Sequence, residues 1–168
     1  MEYHRITQSR EGKDVLQPIS LTVSEIWGEE RPLFVPGREG KAGRQPAFLP
    51  FYEIPGGFLI SARVRYLWQE YQRGGRYRPC AFGSVARKQI RAYCFLMPRL
   101  LDCIHPDTRY DKKGDPEELW LDRGQIGAHQ VFGVRTGRGI RLILGEEVLE
   151  RMLGEGITGF DWERAGIK

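Results

Sequence analysis

Apolar residues follow a helical period in two stretches of the chain and come in strand-sized runs elsewhere. Val64, Leu67, Trp68 and Tyr71 share one helical face, with Ser61 as an N-cap and Gly74-Gly75 as a stop. Val148, Leu149, Met152 and Leu153 form a second inner face. That helix starts at Glu146-Glu147, whose carboxylates suit the positive end of the dipole, and Gly154 and Gly156 end it. Residues 24–27 read as one more helical turn. Extended segments are predicted at residues 3–6, 19–23, 32–35, 57–60, 77–82, 90–97 (continued by 100–104), 119–121 and 157–162. Residues 130–134 and 140–144 flank Thr136-Gly137-Arg138-Gly139 as a hairpin. Residues 36–46 read as a loop and 105–116 as a polar turn region, while Pro50 and Pro55 limit any helix around Phe48, Phe51, Tyr52 and Ile54.

This order predicts an α+β fold: a largely antiparallel sheet of short strands with two or three short helices on one face. It reads as a single domain over residues 1–168, whose N-terminal third has the weakest pattern. Residues 57–82 and 140–162 share one plan of strand, small N-cap residue, short helix and strand. Aligning Ser61 with Gly145 puts Val64 on Val148 and Trp68 on Met152. Either the segment is duplicated or one supersecondary unit is used twice.

Composition agrees with a loop-rich, β-containing domain. The 168 residues include 21 Gly and 10 Pro, with 40% hydrophobic and 29% charged residues. A chain of this length buries a core without disulfides or a structural metal. No apolar run approaches the roughly 20 residues of a membrane span. The start, Met1-Glu2-Tyr3-His4-Arg5, does not read as a signal peptide, and the odd cysteine count (Cys80, Cys94, Cys103) fits a reducing compartment. The expected location is the cytoplasm.

Searches for chemistry fail on spacing. His4, His105, His129 and the cysteines contain no Cys-x-x-Cys or His-x-x-x-His pattern, and Cys103-Ile104-His105 is the only close pair. No serine sits in a Gly-x-Ser-x-Gly elbow. Gly40-Lys41 is followed by Ala42, so no phosphate loop is present. Glu117-Glu118 and Glu146-Glu147 read as an exposed turn and a helix start. The sequence therefore points to no catalytic residue, no cofactor and no metal.

Charge is distributed unevenly. The net charge of +4 splits into +6 over residues 1–110 and −2 over 111–168. Between residues 63 and 99, Arg63, Arg65, Arg73, Arg76, Arg78, Arg87, Lys88, Arg91 and Arg99 stand against one acid, Glu70. They interleave with Tyr66, Trp68, Tyr71, Tyr77 and Tyr93. Rings in the core under a solvated coat of arginines, a surface for an acidic protein, and a nucleic-acid interface are all compatible with this pattern.

Several of these motifs occur together in a known order. The C-terminal part reads Gly127-Ala128-His129-Gln130-Val131-Phe132-Gly133-Val134, then Ile140-Arg141-Leu142-Ile143-Leu144, Glu146-Glu147-Val148-Leu149-Glu150 and Gly156-Ile157-Thr158-Gly159-Phe160. The middle carries Gly57-Phe58-Leu59-Ile60-Ser61, Arg78-Pro79-Cys80, Tyr93-Cys94-Phe95 and Leu101-Asp102-Cys103-Ile104. Over about residues 50–163 the chain resembles a bacterial immunity-protein family found beside polymorphic toxins and typified by a myxobacterial immunity protein. It departs at Gly133, where the family often has Arg, and at Gly145, where it often has Ser.

The resemblance implies a non-enzymatic protein that binds and neutralises a cognate, cytosol-acting protein toxin or secreted effector. The basic segment then becomes the expected toxin-binding face, formed or bordered by Arg63, Arg65, Arg73, Arg76, Tyr77, Arg78, Arg87 and Lys88. Charge reversal at Arg73, Arg76 and Arg78 is expected to slow association. The other reading is a nucleic-acid-binding module that uses residues 63–99.

Overall fold

The computed structural model describes residues 1–10, 14–28, 30, 32–39 and 45–168. The elements from the N-terminus are β1 (Tyr3–Gln8), β2 (Gln17–Pro18), α1 (Val23–Trp27), β3 (Leu33–Arg38), β4 (Phe51–Ile54), β5 (Gly57–Ser61), α2 (Ala62–Trp68), β6 (Arg76–Ser84) and β7 (Gln89–Met97). They continue with β8 (Arg109–Tyr110), β9 (Pro116–Glu118), β10 (Trp120–Leu121), α3 (Arg123–Ile126), β11 (Val131–Thr136), β12 (Gly139–Gly145), α4 (Glu146–Gly154) and β13 (Phe160–Ile167).

The α+β, sheet-dominated class expected from the sequence is the one that forms. The strands divide into a five-stranded sheet, β10-β13-β1-β12-β11, and a six-stranded sheet, β2-β3-β6-β7-β5-β4, with β8 paired to β9. Pairs are antiparallel except β10–β13 and β3–β6. Hydrophobic alternation assigns a residue to a face, not a strand to a neighbour, so this division is invisible in the pattern.

Both faces of each sheet carry buried layers, except where β3, β6 and β7 run past α2. Their inner faces meet in a central core of Ile6, Phe58, Ile60, Leu96, Leu142 and Phe160, with Val64, Leu67 and Trp68 of α2 and Val148 and Met152 of α4. The outer face of the six-stranded sheet (Val35, Tyr52, Phe82, Phe95) is covered by Leu16 and by Ile26 of α1. The outer face of the five-stranded sheet (Tyr3, Phe132, Ile143, Ala165) is covered by Cys103, Leu119 and Ile126. Double coverage explains why Tyr93-Cys94-Phe95-Leu96 is apolar without a break.

The plan shared by residues 57–82 and 140–162 extends to whole sheets. The strand orders β4-β5-β7-β6-β3 and β11-β12-β1-β13-β10 have identical relative directions, including the parallel edge pair. Chain order matches as well, except for the central strand. β7 follows β6 directly, whereas its counterpart β1 comes from the N-terminus. The two helices begin alike, at Ser61 (φ −65°, ψ 155°) and Gly145 (φ −67°, ψ 152°). They meet at the aligned pair, where Trp68 Nε1–H points to Met152 Sδ at 3.2 Å.

Local departures from expectation have local causes. The strand expected at 19–23 does not form: β2 ends at Pro18, and the capping box of Thr22 and Glu25 starts α1 at Val23. Residues 100–104 do not continue β7. They make only isolated bridges, Leu100 to Gly133 and Ile104 to Leu121. Leu153, expected on the inner face of α4, is 38% exposed. Part of the loop expected at 36–46, including Gly40-Lys41, lies outside the described residues, while β3 reaches Arg38.

Candidate functional site

The basic segment is split by the strand period. On β6, Arg76 and Arg78 point to the outer face and Tyr77 to the inner one, as period-2 geometry requires. Arg76 stacks on Trp27 at 4.6 Å from ring centre. Arg78 donates to the Glu25 carbonyl at 3.2 Å and also to the Ile26 carbonyl, holding the C-terminal end of α1. Arg65 of α2 lies over the Tyr77 ring at 5.4 Å, and Tyr77 donates to Gln72 Oε1 at 2.5 Å. Burial pushes the Tyr77 phenol well above its ordinary range.

The remaining cations lie apart from these. Arg63 donates to the Glu155 carbonyl, bridging α2 to the end of α4. Arg73 is exposed in the α2–β6 connection. There Arg99 and Arg73 add to burial in holding His129 below its ordinary range. Arg87 and Lys88 occupy the β6–β7 turn. Arg87 pairs with Glu39 at 2.7 Å, and Lys88 takes a left-handed φ of 54°. The eight predicted contact residues therefore do not form one face: Arg63, Arg65 and Tyr77 share the inner side, Arg76 and Arg78 the outer, Arg73 stands in the α2–β6 connection, and Arg87 and Lys88 in the far turn.

The structure also exposes a surface that charge counting missed. Beyond the reach of α2, the inner face of β3, β6 and β7 is open. Cross-strand pairs Phe34–Ala81, Ala81–Ala92 and Gly83–Ile90 place these residues side by side. Phe34 is 38% exposed and Ile90 53%, with Pro79 and Ala92 exposed beside them. Arg63 and Arg65 of α2 lie on the same side of the sheet, and Lys88 stands at its turn. The available signal was the weak side chain set of β6: Pro79, Ala81 and Gly83 give its inner face too little volume for a packed core.

At one end of this surface β5 bends into α2 and leaves a groove of about 430 Å³. Phe48, Pro50, Ala92, Tyr93 and Ile157 provide apolar walls, and Arg63 and Arg91 supply charge; no acidic residue is among its lining. Arg91 stacks on Phe48 at 4.2 Å. Tyr93 donates to the Leu49 carbonyl at 2.5 Å, fixing the loop that forms one wall. A larger cavity of about 690 Å³ is lined by both signs of charge, including Glu2, Glu117, Glu163, Arg123 and Arg164.

The cysteines are arranged for packing. Burial pushes the thiol of Cys80 up to about 12 and those of Cys94 and Cys103 up to about 11, so all three are protonated at neutral pH. His105 lies 3.7 Å from Asp107, and no group of three metal-ligating side chains converges among the described residues. Among the described residues, no helix is long and apolar enough to cross a membrane.

The fold and this surface define an α+β domain of two similar halves with an uncovered apolar sheet face and an adjoining basic groove. Compared with known proteins, the chain matches no family model and no curated protein sequence.

Proposed function

We propose that this protein neutralises a cognate protein toxin by direct binding in the cytoplasm of the producing cell, as an immunity protein. The observation that supports this most is the uncovered apolar face of β3, β6 and β7, where Phe34 and Ile90 remain 38% and 53% exposed within a well-packed domain. An exposed apolar patch bordered by arginine is the usual composition of a protein-binding surface. The family-like motifs add a second support: Arg78-Pro79-Cys80 and Tyr93-Cys94-Phe95 lie on two of the three strands that build this face, β6 and β7. Neutralisation is then steric, with the toxin covered over roughly 800 Å² on each partner.

The same geometry favours protein over nucleic acid. Of the rings interleaved with the basic segment, Trp68 and Tyr93 are buried and Tyr71 and Tyr77 lie under Arg151 and Arg65, which leaves Tyr66, 73% exposed, as a single ring where single-strand binding uses several. The test is co-expression with candidate toxins, beginning with any encoded beside its gene. Restored growth supports the reading. Absence of rescue, or a salt-dependent shift of RNA or DNA by the protein at physiological salt, overturns it.

A further inference from the structure

We propose that the groove beside β7 accepts an extended acidic segment of a protein partner as an added β-strand. The inference rests on the protein-binding reading above, but not on the partner being a toxin.

The observation is an interrupted sheet. β5 and β7 pair only as far as Ser61–Tyr93, because the chain turns into α2 at Ala62. On its other side β7 remains paired to β6 down to Ser84–Gln89. Residues 89–92 therefore have a partner strand on one side only among the described residues, and Ile90, Arg91 and Ala92 are exposed. Such an edge presents alternating backbone donors and acceptors that water alone satisfies. A peptide aligned along it recovers those hydrogen bonds, which is how strand-addition sites obtain affinity.

The groove states what the peptide must carry. It continues the line of β5 and lies between the α2 start, the Phe48–Pro50 loop and residues 156–158 after α4. Its apolar walls suit alternate hydrophobic side chains. Arg91 and Arg63 stand in the lining with no carboxylate among it, so an Asp or Glu between the apolar residues completes the charge. Arg63 and residues 156–158 belong to different halves of the molecule, so an occupant would touch both.

The experiment uses the full chain and a synthetic octapeptide of alternating valine and glutamate, blocked at both ends. Binding is followed by amide NMR shifts up to millimolar peptide. The expected result is saturable shifts concentrated at residues 89–92 and at the groove lining, with binding about tenfold weaker when the glutamates are replaced by glutamine. Arg91→Gln should reproduce that loss with the fold retained by circular dichroism, and Arg91→Glu should deepen it. A peptide with proline at alternate positions should not bind, since it cannot donate to the edge. No shift at residues 89–92, or equal binding of the glutamine or proline peptides, overturns the inference. If toxin rescue succeeds while the peptide test fails, only the strand-addition site is lost. If the peptide binds and rescue fails, the toxin reading is lost and the site stands.

Discussion

Trp68 and Met152 meet where the two halves of the molecule join, and each is fully buried. Sequence periodicity assigned both to inner helix faces, and their alignment came from a shared local plan. Their contact could not be read, because pattern carries no information about which elements pack together. Truncating Trp68 removes the largest buried side chain and leaves a cavity at this junction. Trp68→Ala should lower the unfolding free energy by about 3–5 kcal/mol, measured by urea denaturation. The arginines show the opposite case. Their identity was legible but their direction was not, since strand alternation sends Arg76 and Arg78 to the face opposite Tyr77. Because Arg78 holds the end of α1, charge reversal at Arg76 and Arg78 should loosen that helix as well as change surface charge. Hydrogen exchange at residues 23–28 should increase in this variant; unchanged exchange would contradict the assigned role.

At the scale of elements, caps and turns were the most legible features. Ser61 accepts from the Val64 N–H as its position before the helical face implied. Ser61→Ala should cost about 1 kcal/mol, read as a shift in denaturation midpoint. The hairpin around Gly137-Arg138 closed as its glycines required, with Thr136 paired to Gly139. Strand lengths were less legible. β13 runs to Ile167 although Asp161, Glu163 and Arg164 are charged, because two neighbouring strands, β1 and β10, supply its backbone partners. The uncovered stretch of β3, β6 and β7 was missed for a related reason: its small residues resemble a tightly packed sheet until the covering layer is seen to stop.

At the scale of the whole molecule, the N-terminal third, which had the weakest pattern, supplies β1, the central strand of the five-stranded sheet. β1 lies between β12 and β13 and replaces the strand that β7 provides in the other half. Deleting residues 1–8 should therefore abolish cooperative unfolding of the chain, whereas fraying of an ordinary terminus would leave it intact. A second whole-molecule prediction is loss of stability at alkaline pH. Burial raises the thiols of Cys80, Cys94 and Cys103 from 9.0 to about 12, 11 and 11, and the Tyr52 phenol from 10.0 to about 12. The unfolded chain releases these protons first, so stability is retained below pH 9 and falls as pH rises from 9 through 12. Urea midpoints should decrease across that window, and a flat profile would contradict the burial of these groups.

The central claim is that the open face of β3, β6 and β7 binds a protein toxin. Its most direct test is isothermal titration of the protein with purified, inactivated candidate toxins, beginning with any encoded beside its gene. The account predicts a one-to-one complex with Kd of about 10 nM or tighter and about hundredfold weaker binding by Ile90→Asp, with an unchanged melting temperature. No binding heat, or undiminished affinity in Ile90→Asp, would contradict it.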